Sequence, residues 1–150
     1  MDYINLLAII VIPVIAVIVG QWLQERSEMR KDKMQIFKIL MTTRIYGWTT
    51  EGVNALNIID IVFADDKKVR TAWKDYNDKL CVVNPDEQHL KKIELAQYKL
   101  LESIANSLGY KDKITWETIQ NPYFPVGMAQ QIEEQRKMQQ IYMQAINSVN

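Results

Sequence analysis

The chain has 150 residues, 48% of them hydrophobic, and its 18 basic and 18 acidic side chains cancel. One cysteine and one histidine exclude a disulfide scaffold and leave a zinc module short of ligands, so neither a metal nor a cofactor is expected. The apolar content argues against a disordered chain, and the length suits one core rather than two.

From Tyr3 to Gln24 no side chain is charged. As a helix these residues would reach about 33 Å, the thickness of a bilayer's hydrocarbon core. The run Leu6 to Val19 is apolar on every side, with Tyr3 and Trp22 at its ends, where amphipathic rings sit at headgroup depth. The segment reads as a transmembrane helix over 1–24. A cleaved signal peptide would need a basic start and a small-residue cleavage site, whereas Asp2 precedes the run and Gly20-Gln21-Trp22-Leu23 follows it. A buried helix of a soluble core is the other alternative, and the uninterrupted apolar length speaks against it.

Arg26, Arg30, Lys31, Lys33 and Lys38 follow the span, which directs the C-terminal side to the cytoplasm and the N-terminus outside. Pro13 removes a backbone donor in mid-span, so the helix is expected to bend or loosen there. The freed carbonyl can be satisfied by neighbouring spans in a homo-oligomer or by local adjustment in a lone anchor. Were several copies to enclose a pore, Asn5 would lie near its outer mouth and Gln21 and Gln24 near its inner one, with Pro13 as a gating element. Placement of the amides at the interface is the alternative.

The rest of the chain carries an all-α pattern. Residues 25–45 continue the span as a juxtamembrane stalk in which Met34, Phe37 and Met41 recur at helical spacing, and 46–150 form a cytosolic helical domain. Within it Thr49 can cap a helix bearing Val53, Leu56, Ile59 and Phe63. Asp65 then restarts a helix whose apolar side holds Val69, Ala72 or Trp73, Tyr76 and Leu80. Asn84 is expected to cap the next, with Pro85 at its first position and Glu87 completing a capping box. Leu90, Ile93, Leu100 or Leu101, Ile104 and Leu108 follow as the centre of the core, until Gly109 ends the helix. Thr115 caps a short turn over Trp116 to Gln120, and Pro122 and Pro125 separate it from a last helix marked by Met128, Ile132, Tyr142 and Ile146. That apolar side suits core packing, or contact with a second copy.

Residues able to support catalysis do not assemble. His89 beside Lys91 and Lys92 reads as a solvated surface group, and Cys81 as a small buried hydrophobe rather than a nucleophile. Adjacent Asp65 and Asp66 suit helix capping better than acid-base work. No phosphate-cradling glycine loop occurs, so no enzyme is expected. Lys67, Arg70 and Lys74, at i, i+3 and i+7, share a helix face and form a candidate ligand-binding stripe, the alternative being a solvated mixed-charge surface with Asp75 and Asp78. Asn54, Asn57 and Asp60 mark a polar side of the ALNIIDIVF run, expected to face solvent or to serve as a subunit contact.

The stretches LNIIDIVFADDKKVRTAWKDY (residues 56–76) and LLESIANSLGYKDKITWETIQNPYFP (residues 100–125) resemble short single-span bacterial membrane proteins of anti-phage defence operons. With its span-plus-helical-domain plan, the chain is similar to the channel subunit of the Hailong system. The resemblance implies a homo-oligomeric channel in the lipid bilayer, controlled by an oligonucleotide ligand that a partner nucleotidyltransferase makes. Lys67, Arg70 and Lys74 are then the candidate contact. A membrane-tethered adaptor that binds a cytosolic protein is the alternative function.

Overall fold

In the computed structural model the described residues are 3–111 and 113–147, with side chains described for 11–111, 113–144 and 146. They form seven helices and, among the described residues, no strand. The all-α expectation holds. Two compact units divide the chain, Met1–Gln120 and Asn121–Asn150.

Helix α1 spans Tyr3–Thr43 as one element and runs through Pro13. From Val11 to Leu23 its large apolar side chains are exposed on all sides, whereas Ile36, Phe37 and Leu40 near its other end are buried. Beyond about Met34 the expected stalk is therefore a wall of the core, with Met34, Ile39 and Met41 packed at its edge. Among the described residues no helix is long and apolar enough to cross a membrane. The first part of the expected span, Asn5 included, lies outside the residues whose side chains are described.

Against the end of α1 stand α2 (Thr50–Asn57) and α3 (Ile59–Val62). Thr49 caps α2 as its residue type suggests, its hydroxyl accepting from the Gly52 amide at 3.0 Å. The helix expected through Phe63 breaks at Ile58, yet Leu56, Ile59 and Phe63 still reach the core while Val53 is exposed. Gly52 is tightly packed. A Cβ there would lie 3.0 Å from the Thr49 Oγ1 and 3.2 Å from the Thr43 Oγ1.

The most extensive packing is between α4 (Lys67–Leu80) and α5 (Glu87–Ser107), an antiparallel pair joined by a short loop. Two start signals fall elsewhere than expected. Asp66 caps α4, accepting from the Lys68 and Val69 amides, which frees Asp65 for an ion pair. Asp86 caps α5, accepting from the His89 amide at 2.6 Å, whereas Asn84 takes a left-handed conformation with φ of 53°. The reason is local: Asn tolerates the left-handed turn, and Pro85 then leads extended chain into the cap. On α5, Ala96, Leu100, Leu101, Ile104 and Ala105 are buried and Leu90 is exposed, so the core begins a turn later than expected. Leu108 closes the helix, and Gly109, with φ of 84°, follows in the left-handed conformation.

Helix α6 (Trp116–Gln120) begins after Thr115, whose hydroxyl accepts from the Thr118 amide, and buries Ile119 completely. Tyr98 of α5 meets Trp116 edge to face at 5.8 Å. The Arg44 guanidinium donates to the carbonyls of Met41 and Ile119, the latter at 3.1 Å, tying the end of α1 to α6. The second unit contains α7 (Val126–Asn147). On its apolar side Met128, Tyr142 and Ile146 are exposed and Ile132 is half-buried. Glutamines interrupt its apolar stripe between Met128 and Met138.

Candidate functional site

Helix α4 presents its two faces very differently. Val69 and Tyr76 point into the core, and Lys67, Arg70 and Lys74 line the opposite side, as their spacing requires. The structure brings these three cations to one shallow groove of about 350 Å³, which Asp60, Trp73 and Asn77 also line. Lys68 is exposed beside them, and Asp75 is paired with Lys79 one turn on.

The groove is not purely basic. The Asp60 Oδ1 accepts from the Arg70 Nε at 3.2 Å, with both side chains more than half exposed. Such a surface pair contributes about 0 to 1 kcal/mol, so an incoming phosphate that forms two hydrogen bonds with the guanidinium can displace it. Asn54, Asn57 and Asp60, expected from their polarity to face solvent or to serve as a subunit contact, are all exposed. What polarity alone missed is that α3 delivers Asp60 to the cation stripe of α4. The signal was the short Phe63 to Asp66 turn, which folds α3 back on α4. Trp73 is half-buried, its ring 6.2 Å from that of Tyr76, and it gives the groove one apolar wall. Three cations, one aromatic wall and one displaceable carboxylate can bind an anion.

Other sequence-derived candidates are dispersed. Gln21 is exposed on α1, and the Gln24 Nε2 donates to the Glu28 Oε1 at 3.1 Å. By helical arithmetic Pro13, Gln21 and Gln24 share an arc of about 80°. The Asn5 side chain lies outside the described residues. Cys81 is exposed at the end of α4, a correction to the buried position expected of it. His89 is corrected too. Its Nε2 lies 2.9 Å from the Lys79 carbonyl, so the ring closes the end of α4 onto the start of α5 instead of standing in solvent. Among the described residues no group of three or more His, Cys, Asp and Glu could hold a metal ion.

Buried and semi-buried phenols accompany this frame. Desolvation pushes the Tyr76 hydroxyl up to about 12. Tyr98 is also raised to about 12, by desolvation and then by the carboxylate of Glu94, to which its hydroxyl donates. Both stay protonated at any physiological pH and act as packing and hydrogen-bonding groups.

The chain belongs to a family of unknown function, DUF6680, whose model matches residues 1–149. No curated protein and no solved structure matches it.

Proposed function

We propose that this member of the DUF6680 family is a homo-oligomeric membrane effector that forms a gated ion channel. Its α1 would cross a bacterial inner membrane from an outside N-terminus, and the helical domain would lie in the cytoplasm. A single observation carries the proposal. Helix α1 is continuous from an apolar half exposed on all sides at Val11 to Leu23 to a half whose Ile36, Phe37 and Leu40 are built into the core. Water does not tolerate so large an exposed apolar surface, whereas lipid or other copies of the helix do. A helix rigidly seated at one end transmits any core rearrangement to its other end. The family match also runs through the apolar segment and the helical domain together.

Gating then requires a ligand that binds open and closed assemblies with different affinity. The groove at Lys67, Arg70 and Lys74 is the candidate receptor for an anionic cytosolic ligand. In the setting that the resemblance implies, the ligand is an oligonucleotide made by a partner nucleotidyltransferase in an anti-phage defence operon. The test is membrane potential, read with a dye in cells expressing the protein with its operon partners. Collapse of the potential on triggering is expected, and an unchanged potential overturns the channel.

Exposed Met138, Ile141, Tyr142 and Met143 on α7 favour a second reading, a membrane-tethered adaptor that offers this surface to a cytosolic protein. Replacing residues 3–24 with an unrelated apolar helix separates the two, since an adaptor keeps its function and a channel loses it.

A further inference from the structure

A second charged cleft lies between α1 and the domain, at the foot of the apolar segment. Trp22, Arg26, Arg30 and Lys33 line it from α1, and Asp65 and Ser107 from the other side. Its volume is about 470 Å³, within the range of small-ligand sites. The four α1 residues follow at i, i+4, i+8 and i+11, which puts them within an arc of about 80°.

Their charges are not equally engaged. The Lys33 Nζ lies 2.8 Å from the Asp65 Oδ1 and 5.4 Å from the centre of the Phe63 ring, so its charge is held by the domain. The Arg26 guanidinium stands over the Trp22 ring at 5.5 Å. Among the described residues neither Arg26 nor Arg30 is in an ion pair. Glu25 and Asp65 are the acidic groups lining the cleft, and Asp65 is the one already paired.

We propose that this cleft binds the phosphate of an anionic phospholipid headgroup, gripped between Arg26 and Arg30. The proposal rests on the membrane reading of α1. If Trp22 marks the boundary of the hydrocarbon, Arg26 lies about 6 Å and Arg30 about 12 Å beyond it at 1.5 Å per residue. The headgroup layer is roughly 5 to 8 Å deep. Arg26 is thus at phosphate level. Arg30 reaches that level because helical side chains lean toward the helix N-terminus, which here is the membrane side. Two guanidiniums one turn apart offer a phosphate paired donors on each side, and the Trp22 indole suits the glycerol boundary. With Lys33 and Asp65 forming the floor, a bound headgroup would fix the angle between membrane and domain.

The test uses the full chain, extracted in detergent, stripped of lipid and added to vesicles of phosphatidylcholine alone or of phosphatidylcholine with phosphatidylglycerol. Flotation measures partitioning, and native mass spectrometry measures retained lipid. Wild type is expected to float with both vesicles and to retain phosphatidylglycerol in preference to phosphatidylcholine. The double variant R26Q/R30Q should still float and keep its helical circular dichroism, yet lose that preference by a factor on the order of ten. Lys91→Gln with Lys92→Gln, which removes equal charge on α5, should leave it intact. A preference that persists in R26Q/R30Q overturns the site. Inorganic phosphate that displaces the lipid at equal concentration also overturns it, because the cleft would then be a general anion site. Failure of wild type to float with either vesicle overturns the membrane reading itself, which distinguishes the two failures.

Discussion

Lys33 and Asp65 stand 32 residues apart in sequence, and their Nζ and Oδ1 atoms meet at 2.8 Å. The pair ties the last third of α1 to the turn before α4, where the exposed part of the long helix gives way to the buried part. The Lys33 side chain is 14% exposed and that of Asp65 70%. The lysine therefore depends on its partner more than the carboxylate does.

Acid should loosen this tie. The hydrogen bond from Lys33 holds the Asp65 carboxyl below its ordinary value of 3.8, against a smaller opposing effect of burial. A carboxyl depressed in the folded state contributes stability above its unfolded pKa of about 3.9, and that contribution is lost as pH falls through the folded value. Thermal melts of the detergent-extracted protein should show wild type losing its advantage over Asp65→Asn below about pH 4. Solvent screening keeps the effect to a fraction of 1 kcal/mol, so about a degree or two in Tm is expected. Parallel curves for the two proteins would remove Asp65 from the account.

Phe63 is fully buried between α3 and α4 and has the Lys33 ammonium over its ring. Phe63→Ala should cost about 3 to 5 kcal/mol, the usual loss for a buried phenylalanine. Denaturant melts would check it. A loss under about 1 kcal/mol would mean that the cavity collapses or that the ring is not buried.

The start of α5 allows a paired test. Asp86→Ala should cost about 1 kcal/mol by removing the acceptor for the His89 amide. Asn84→Gly should be neutral or stabilising by a few tenths of a kcal/mol, because the φ of 53° is easier for glycine. The reverse ranking in chemical denaturation would restore Asn84 as the cap.

If the α4 groove holds an anion, as proposed, Asp60 competes with it for Arg70. Asp60→Asn should therefore strengthen binding of an anionic oligonucleotide several-fold, and K67Q/R70Q/K74Q should abolish it together with its salt dependence. Titration at two salt concentrations reads both. Affinity unmoved by either variant would dismiss the α4 groove.

Much of this architecture could be read from spacing. The apolar period of α4 and α5, the Thr49 and Thr115 caps and the Gly109 terminator are local rules, satisfied by residues within a turn of each other, and the structure follows them. The cation stripe was legible for the same reason, since i, i+3 and i+7 fix a face on any helix. Caps went astray where two capping residues compete. Asp65 and Asp66 are adjacent, and Asn84 and Asp86 flank a proline. The selection was made by Lys33 in one case and by a left-handed turn in the other.

By itself the sequence determined the helical class, the apolar first helix and the faces of the amphipathic ones, because hydrogen bonding and side-chain periodicity act over a few residues. Only the tertiary structure decided that α1 enters the core at Ile36, that Asp60 reaches Arg70, and that His89 closes onto the Lys79 carbonyl. Those contacts join residues on different elements. Their meeting depends on how the helices pack, which no local spacing encodes.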